Sequence, residues 1–575
     1  MNEKTKLTGK ASVDRPWMKN YIDEARHIEP FDMSMYEYLK KCNEDRHDAI
    51  AIEYFQWKIT MGDLIDKIDH IAAGFASLGV KPGDIVTLAL PNIPENIIAI
   101  YALNKIGAIS NLIDLRLSGA ELERYFNEVR SKVVIVCDMF LHNTLEILPN
   151  TSTKTVIVAS PFAHFPKPLA WFLKKKEGIH IPKDDDRLMT WEEFDGQSYE
   201  EVPVYHTETT QTDAASIMHT SGTTGASKGV MLTNDSFNVL AQEFHYVYGE
   251  DHFEENSRVM NQVPPFLAYN ISLSTHAPLC NRLLLVLLPD YQPDKFAENL
   301  YKIKPQHVAA GPADWSNFID NPKIKGKDYS FLKTAVSGSD TINYETKLEI
   351  NKILKEHGSS SEVIEGYGMT ECGCVVTTNF QGADVRDSVG VPFPTVKVCI
   401  YDNDNECELP YGEKGEICIA GPRIMSGYFE QAEDTAECLR THADGELWMH
   451  SGDLGSMDEN GYVYLDGRLK RIIIQHNGMK INPFEVETVI MTVPQVQSCC
   501  VVGKPDEEHG IGQIPVAYYV LNADCDLSAE ETAEEVKRYC EEKLTKRYQP
   551  RAYHVLDALP LTPNGKIDYR QLEQQ

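Results

Sequence analysis

The residues best suited to phosphate chemistry lie in Thr220 to Gly229, which reads Thr-Ser-Gly-Thr-Thr-Gly-Ala-Ser-Lys-Gly. Three glycines let backbone N–H groups approach an anion, five hydroxyls donate hydrogen bonds, and Lys228 adds a point charge. Apolar runs at Ala214–Met218 and Val230–Leu232 bracket the loop, which a simple Gly/Ser linker would lack. A Walker A loop does not fit: counting from Gly222, Ser227 stands where the second glycine belongs and Gly229 follows the lysine. Gly225-Ala-Ser-Lys-Gly229 does fit the Gly-x-Ser-x-Gly pattern of a hydrolase elbow, but an elbow opens a helix, and Val230–Thr233 has the character of a strand.

Four further stretches carry chemistry-bearing residues. Glu365-Gly-Tyr-Gly-Met-Thr-Glu371 places an aromatic ring, a hydroxyl and a carboxylate beside Gly366 and Gly368. His450-Ser-Gly-Asp-Leu-Gly455 is expected to present Asp453 on a tight turn. Gly467-Arg-Leu-Lys470 precedes a change of texture, and Pro563-Asn-Gly-Lys-Ile567 puts Lys566 on a turn near the end of the sequence. Singly these are common. Their order and spacing together are specific.

The elements that position them follow from apolar periodicity. Met61–Leu78 carries a helical stripe, Asp84–Leu90 reads as a strand, Pro94–Ile106 and Glu121–Val129 as helices, and Lys132–Cys137 as a buried strand. This βαβ alternation predicts an α/β fold with mostly parallel sheets. Pro161–Asp186 interrupts it, with Trp171-Phe-Leu173 beside Lys174-Lys-Lys176, and is read as a surface insertion in preference to a membrane-touching patch. Asn238–Val247, Asp294–Ile303 and Thr341–His357 are expected helices, and Leu283–Leu288, Val308–Ala310 and Thr334–Val336 expected strands, the last ending in the turn Ser337-Gly-Ser-Asp340. From 395 to 466 short strands and turns predict a β-rich subdomain, with Asp402–Asn405 a hairpin turn. Residues 471 to 575 suffice for a small α+β domain, with a helix over Ser528–Leu544 opened by the capping box Ser528-Ala-Glu-Glu531.

Length and composition bound the function. A chain of 575 residues allows several lobes of about 150 residues. With 42% hydrophobic and 25% charged residues it is globular. A net charge of −31 excludes a nonspecific nucleic-acid binder, which needs a basic footprint. The 13 cysteines include no Cys-x-x-Cys, so reduced thiols in a cytoplasmic setting are expected and not a zinc module. The N-terminal 20 residues lack the apolar core of a signal peptide, and no apolar run is long enough to span a bilayer.

In these motifs, from about residue 35 to 570, the chain resembles the superfamily of adenylate-forming enzymes: acyl-CoA synthetases, luciferase-like enzymes and peptide-synthetase adenylation domains. It is most similar to bacterial carboxylate–CoA ligases. The resemblance implies a large N-terminal domain, residues 1–470, and a small mobile C-terminal domain, residues 471–575. It implies attack of a carboxylate on the α-phosphate of MgATP, release of pyrophosphate, and displacement of AMP by a thiol. Thr220, Ser221, Gly222, Thr223, Thr224, Gly225 and Lys228 match the loop that holds the β- and γ-phosphates. Tyr367 matches the adenine-packing ring, between Gly366 and Gly368 of the nucleotide site; Thr370 matches the α-phosphate hydroxyl and Glu371 the Mg²⁺ ligand. Asp453 matches the ribose-binding carboxylate and Arg468 a further ribose and phosphate contact. Ser337, Gly338, Ser339 and Asp340 match the turn lining the adenine and acyl pockets. Lys566 matches the catalytic lysine, whose ammonium offsets the repulsion between carboxylate and phosphate. Lys470 matches the hinge, and Gly478 the glycine that leaves room for pantetheine.

The chain also departs from the family's patterns. Amino-acid-activating domains carry an Asp in the stretch matching Val263–Ala268; here Phe266 and Leu267 stand there, which disfavours an amino acid and places these two in the acyl pocket. Leu267 also replaces a histidine found in many acyl-CoA synthetases, Gly467 stands where Asp is common, and Ile472–Asn477 is one residue longer than usual. The expected activity is ATP-dependent ligation of an apolar acid, fatty or aryl, to CoA. The alternatives are an acyl-AMP ligase serving an acyl-carrier protein and, more distantly, an α/β-hydrolase using Ser227. Monomer and homodimer both remain open.

Overall fold

In the computed structural model the described residues are 7–205, 213–220, 227–248, 253–319, 321–340, 342–380, 382–383, 385–522, 525, 527–561 and 566–575. Two sheets dominate the large N-terminal part. The first runs Gly427–Tyr428, Gly229–Thr233, Ala214–His219, Ile109–Leu112, Ile85–Ala89, Val133–Cys137, Thr155–Ala159, Leu188–Thr190. Its last six strands are mutually parallel, and Gly229–Thr233 returns antiparallel from Ala214–His219. The second runs Val363–Glu365, Thr334–Ser337, His307–Ala310, Arg258–Asn261, Leu284–Leu287, Ile50–Tyr54, Trp57–Thr60, parallel except for the final hairpin. Central strands are apolar on both faces, as Val133–Cys137 illustrates with every residue buried.

The helices that cover these sheets form where the stripes predict them. Met61–Ser77 starts at Thr60, whose hydroxyl accepts from the Asp63 N–H, and buries Leu64, Ile65, Ile68, Ile71, Ala72 and Phe75. Pro94–Lys105 begins with proline at its first position and is buried all round between neighbours. Within the 161–186 insertion, Lys167–Lys176 is a helix with no buried residue, and Trp171 and Phe172 face solvent.

A six-stranded antiparallel sheet follows, built on Lys397–Asp402, Gly415–Ala420, Leu447–Met457 and Val463–Arg468. Asp402 to Cys407 turns this sheet's first hairpin, as expected. The C-terminal part packs helices Pro483–Ile490 and Ala529–Lys543 on the sheet Val496–Pro505, Gln513–Leu521, Ala552–Val555. Ser528 and Glu531 form the capping box read from sequence. All 13 cysteines are free thiols, eight of them buried. Among the described residues no helix is long and apolar enough to cross a membrane.

Candidate active site

The motif stretches converge because their elements end at one place. Thr334–Ser337 and Val363–Glu365 are adjacent parallel strands, and the turns at their carboxyl ends carry Ser337–Asp340 and Gly366–Glu371. Ligands of open α/β sheets bind at such carboxyl ends. The Gly-rich loop joins Ala214–His219 to Gly229–Thr233, and the strand Leu447–Met457 brings Asp453 from the β-rich sheet. Thr220, Lys228, these two turns and Met449–Gly452 of that strand enclose a cavity of about 330 Å³, with Asp453 behind its wall. Its walls include Thr220, Lys228, Thr370, Glu371, Arg468 and Lys566.

Ser221, Gly222, Thr223, Thr224 and Gly225 lie outside the described residues; the loop's two ends do not. The Thr220 N–H donates to the Lys228 carbonyl at 3.1 Å, and the Ser227 hydroxyl donates to the Thr220 carbonyl. Ser227 thus closes the neck of the loop, and the strand Gly229–Thr233 follows, not the helix a hydrolase elbow requires. The Lys228 ammonium pairs with Asp434 and lies 4.7 Å from the Tyr428 ring centroid. The Tyr428 hydroxyl donates to Glu371 Oε1 at 2.9 Å. One tyrosine therefore links the loop's cation to the carboxylate opposite.

Glu371 sits in the short 3₁₀ turn Thr370–Cys372, whose backbone is anchored by the Met425 N–H donating to the Glu371 carbonyl at 2.8 Å. The glycines before it are required by close approach. A Cβ on Gly368 would stand 1.8 Å from the Cys374 carbonyl oxygen, and one on Gly366 2.6 Å from that of Thr377. Only glycine lets Tyr367 be presented between these backbones.

Asp453 is buried, in an extended strand and not on the expected tight turn. The strand is distorted at this point: Gly452 has φ +71°, and pairing with Val463–Arg468 slips between Leu454 and Gly455. Asp453 falls on the buried side of the alternation that continues through Gly455 to Met457. Its Oδ2 accepts from the Tyr367 hydroxyl at 2.7 Å, and Arg468 Nε lies 2.8 Å from its Oδ1. Burial pushes the Asp453 carboxyl above the usual range, while Arg468, the Tyr367 bond and Lys566 pull it back. Among the described residues, two of the carboxylate's roughly four acceptor positions have no partner. Arg468 stands opposite Asp453 across the strand pair. Gly467 before it has φ +109°, and a Cβ there would meet Phe484 at 3.0 Å, which accounts for glycine where Asp is common.

Ser337, Gly338 and Ser339 line the cavity, Ser339 with φ +74°; Asp340 is not part of its wall. Phe266 and Leu267 form part of its apolar side with Ala268, Tyr269 and Leu273. Lys566 lines it from the C-terminal part, beside Tyr569. Asp568, two residues on, starts the helix Tyr569–Gln574 by accepting from the Gln571 N–H. Lys470 sits at the cavity's edge, 3.8 Å from Glu437. Gly478 is not in the wall: it lies on the hairpin turn between Ile473–Ile474 and Lys480–Ile481, with φ +78° and open space at its Cα.

Several residues of the site escape a sequence reading. Glu416 accepts from the Gly452 N–H at 2.8 Å, from Asn403 at 2.7 Å and from His450 Nδ1 at 2.7 Å. It therefore buttresses the segment carrying Asp453. His450 Nε2 in turn lies 3.0 Å from His442 Nε2. The signal for Glu416 is a carboxylate directly before the apolar run Ile417-Cys-Ile-Ala420 in one strand. Tyr428 and Asp434 carried no signal, lying about 200 residues beyond Lys228.

The chain is similar to known proteins along nearly its whole length. The family model described as AMP-binding enzyme matches residues 39–429, and that for the AMP-binding enzyme C-terminal domain matches 485–566. The chain belongs to the AMP-binding enzyme family and has its two-part, adenylate-forming fold. A long-chain-fatty-acid–CoA ligase of Bacillus subtilis is 29% identical over 98% of each chain. A 4-coumarate–CoA ligase of Humulus lupulus is 25% identical, over 88% of this chain and 87% of its own. Among solved structures, an anthranilate CoA ligase bound to anthranoyl-AMP superposes with TM-score 0.80 at 21% identity, covering 96% of this chain and 98% of its own. ATP-bound MatB from Rhodopseudomonas palustris does so with TM-score 0.78 at 23% identity, covering 94% and 99%.

Proposed function

We propose that the protein is an ATP-dependent ligase joining an apolar carboxylic acid to CoA through an acyl-AMP intermediate. The observation that carries this is one cavity walled by Thr220, Lys228, Thr370, Glu371, Arg468 and Lys566, with Asp453 buried behind. In the first step a carboxylate oxygen bonds to the α-phosphorus and the bond to the pyrophosphate oxygen breaks. In the second, the CoA sulfur bonds to the acyl carbon and AMP leaves with the carboxylate oxygen.

The cavity's groups are divided to suit this. Thr220, Lys228 and the glycine- and hydroxyl-rich stretch Ser221–Gly225 take the β- and γ-phosphates, Lys228 exchanging Asp434 for phosphate. Thr370 binds the α-phosphate. Tyr367 packs on adenine, with Ser337, Gly338, Ser339 and Asp340 forming the turn below it. Asp453 offers its open acceptor positions to the ribose hydroxyls, with Arg468 fixing its orientation. Glu371 presents a hard oxygen donor at the cavity wall, with one oxygen taken by Tyr428, which fits a Mg²⁺ ligand. Bound there with ATP, Mg²⁺ would neutralise phosphate charge. Lys566 holds its ammonium where carboxylate and α-phosphate meet.

An apolar acid is favoured by the lining. Leu273, Val336, Gly366 and Val375 form the common wall between the large cavity and a second of about 40 Å³ lined by Phe244, Phe253, Val259 and Leu283. A tail entering past Phe266 and Leu267 would extend into that apolar space. The domain boundary falls between Lys470 and Arg471. Lys566, and not Gly478, is at the cavity, which suits the adenylating arrangement. Rotation about Lys470 would withdraw Lys566 and bring Gly478 to the pantetheine path.

The test is acid-dependent pyrophosphate release across short, long and aromatic acids, with and without CoA. Turnover with an apolar acid that yields acyl-CoA is expected. Pyrophosphate release with none of these acids, or release that never yields a CoA thioester, would overturn the assignment.

A further inference from the structure

Two hairpin tips of the C-terminal part meet away from the ATP cavity. One is the turn Gln475–Met479, closed by the Gln475 N–H donating to the Met479 carbonyl at 2.8 Å. The other is the turn Asp506–Gly512 between Val496–Pro505 and Gln513–Leu521, closed by the Asp506 N–H donating to the Gly512 carbonyl at 3.0 Å. They touch so closely that a Cβ on Gly512 would stand 2.3 Å from the His476 backbone nitrogen. At the contact, His476 and His509 stack with ring centroids 3.6 Å apart and planes 5° from parallel. Both present Nδ1 to the same oxygen, Asp506 Oδ2, at 3.3 and 2.8 Å.

We propose that His476, Asp506 and His509 bind a divalent transition-metal ion of the zinc class, cross-linking the two tips. Two neutral imidazoles and one carboxylate are a ligand set for Zn²⁺ or Co²⁺, not for Mg²⁺, which demands oxygen. The three donor atoms lie within 4.8 Å of one another. Tetrahedral bonds of ~2.0–2.1 Å separate donors by about 3.3 Å, and because the ion must lie in the plane of each imidazole, the two stacked rings tilt out of parallel to converge on it. Asp506 is buried while both histidines keep about 40% of their side-chain surface, so the carboxylate is fixed and the fourth position faces water. A second cluster, Cys418, His442 and His450, is less suited, since His450 is already committed to Glu416 and His442. The ion would tie the backbone at Gly478 to the neighbouring hairpin, and the site stands independently of the ligase assignment.

The test is titration of the untagged full-length protein with Co²⁺, followed by visible absorption, then displacement by Zn²⁺. Expected are d–d bands without a thiolate-to-cobalt charge-transfer band, with affinity falling at least about tenfold in His509→Ala and in His476→Ala. Hydrogen exchange of the unaltered protein gives a second readout: Zn²⁺ should slow the amides of 475–479 and 506–512 together. Absence of binding, a charge-transfer band that marks thiol ligation, or Co²⁺ affinity in either variant equal to that of the unaltered protein would overturn the site, as would exchange unchanged by Zn²⁺.

Discussion

The Tyr367 hydroxyl donates to Asp453 Oδ2 at 2.7 Å, joining the turn after one parallel sheet to a strand of the β-rich sheet 86 positions on. This bond holds two walls of the nucleotide site in register and leaves the ring free to face the cavity. Tyr367→Phe keeps the ring and removes the bond. The buried carboxylate then loses one partner, a loss of about 1–3 kcal/mol. A lower melting temperature and a raised KM for ATP, with KM for the acid little changed, are expected.

Glu416 touches none of the reacting groups but holds Gly452 and His450. It is a positioning residue. Glu416→Ala should raise KM for ATP about tenfold or more, one lost hydrogen bond of ~1.4 kcal/mol in binding being enough. Glu416→Gln, which keeps an acceptor for the Gly452 N–H, should recover part of it. Equal effects of both variants on kcat and both KM values would argue for a general loss of structure.

Lys566 reaches the cavity from a part of the chain separate from the phosphate loop. Lys566→Ala should lower the adenylation half-reaction by ~10²–10³-fold, the scale for removing one charge-stabilising group. Thioester formation from premade acyl-adenylate should be retained. Rapid-quench measurement of each half-reaction separates the two, and equal loss in both contradicts the assignment.

Asp235 offers a pH-dependent test of stability. It is buried at the start of the helix Asn234–Tyr248, and neither carboxylate oxygen has a hydrogen-bond partner among the described residues. Burial, and then the nearby Asp32, push its pKa up from 3.8 to about 6. Between those values the folded chain holds more protons than the unfolded one, so this group's contribution falls as pH rises from 3.8 to about 6 and stays low above. Asp235→Asn should therefore raise the melting temperature at pH 7 by a few degrees and flatten the decline across that window. Melts superimposable on the unaltered protein at both ends of the window would contradict this.

The sequence made the helices and parallel strands legible wherever periodicity was strong, as in Met61–Ser77 and Val133–Cys137, because one stripe or one apolar run dictates burial. The site was legible where chemistry is local in sequence: Thr220, Lys228, Thr370, Glu371 and Lys566 meet at one cavity. Asp453 was expected on a turn but lies in a strand, because Ser-Gly-Asp there makes an irregular extended segment, with Glu416 bracing Gly452 from another strand. Tyr428 and Asp434 could not be found, since their roles exist only through contacts with Glu371 and Lys228 far away in sequence. Spacing likewise hid His476, Asp506 and His509, which two separate hairpins bring together.

The two-step ligation is tested most directly by isotope transfer from an apolar acid labelled with ¹⁸O in its carboxylate, incubated with ATP and CoA. Attack on the α-phosphorus followed by thiol displacement moves one carboxylate oxygen to phosphate. AMP carrying one ¹⁸O and unlabelled pyrophosphate are expected. Unlabelled AMP alongside acyl-CoA, or ADP with labelled inorganic phosphate, would contradict it.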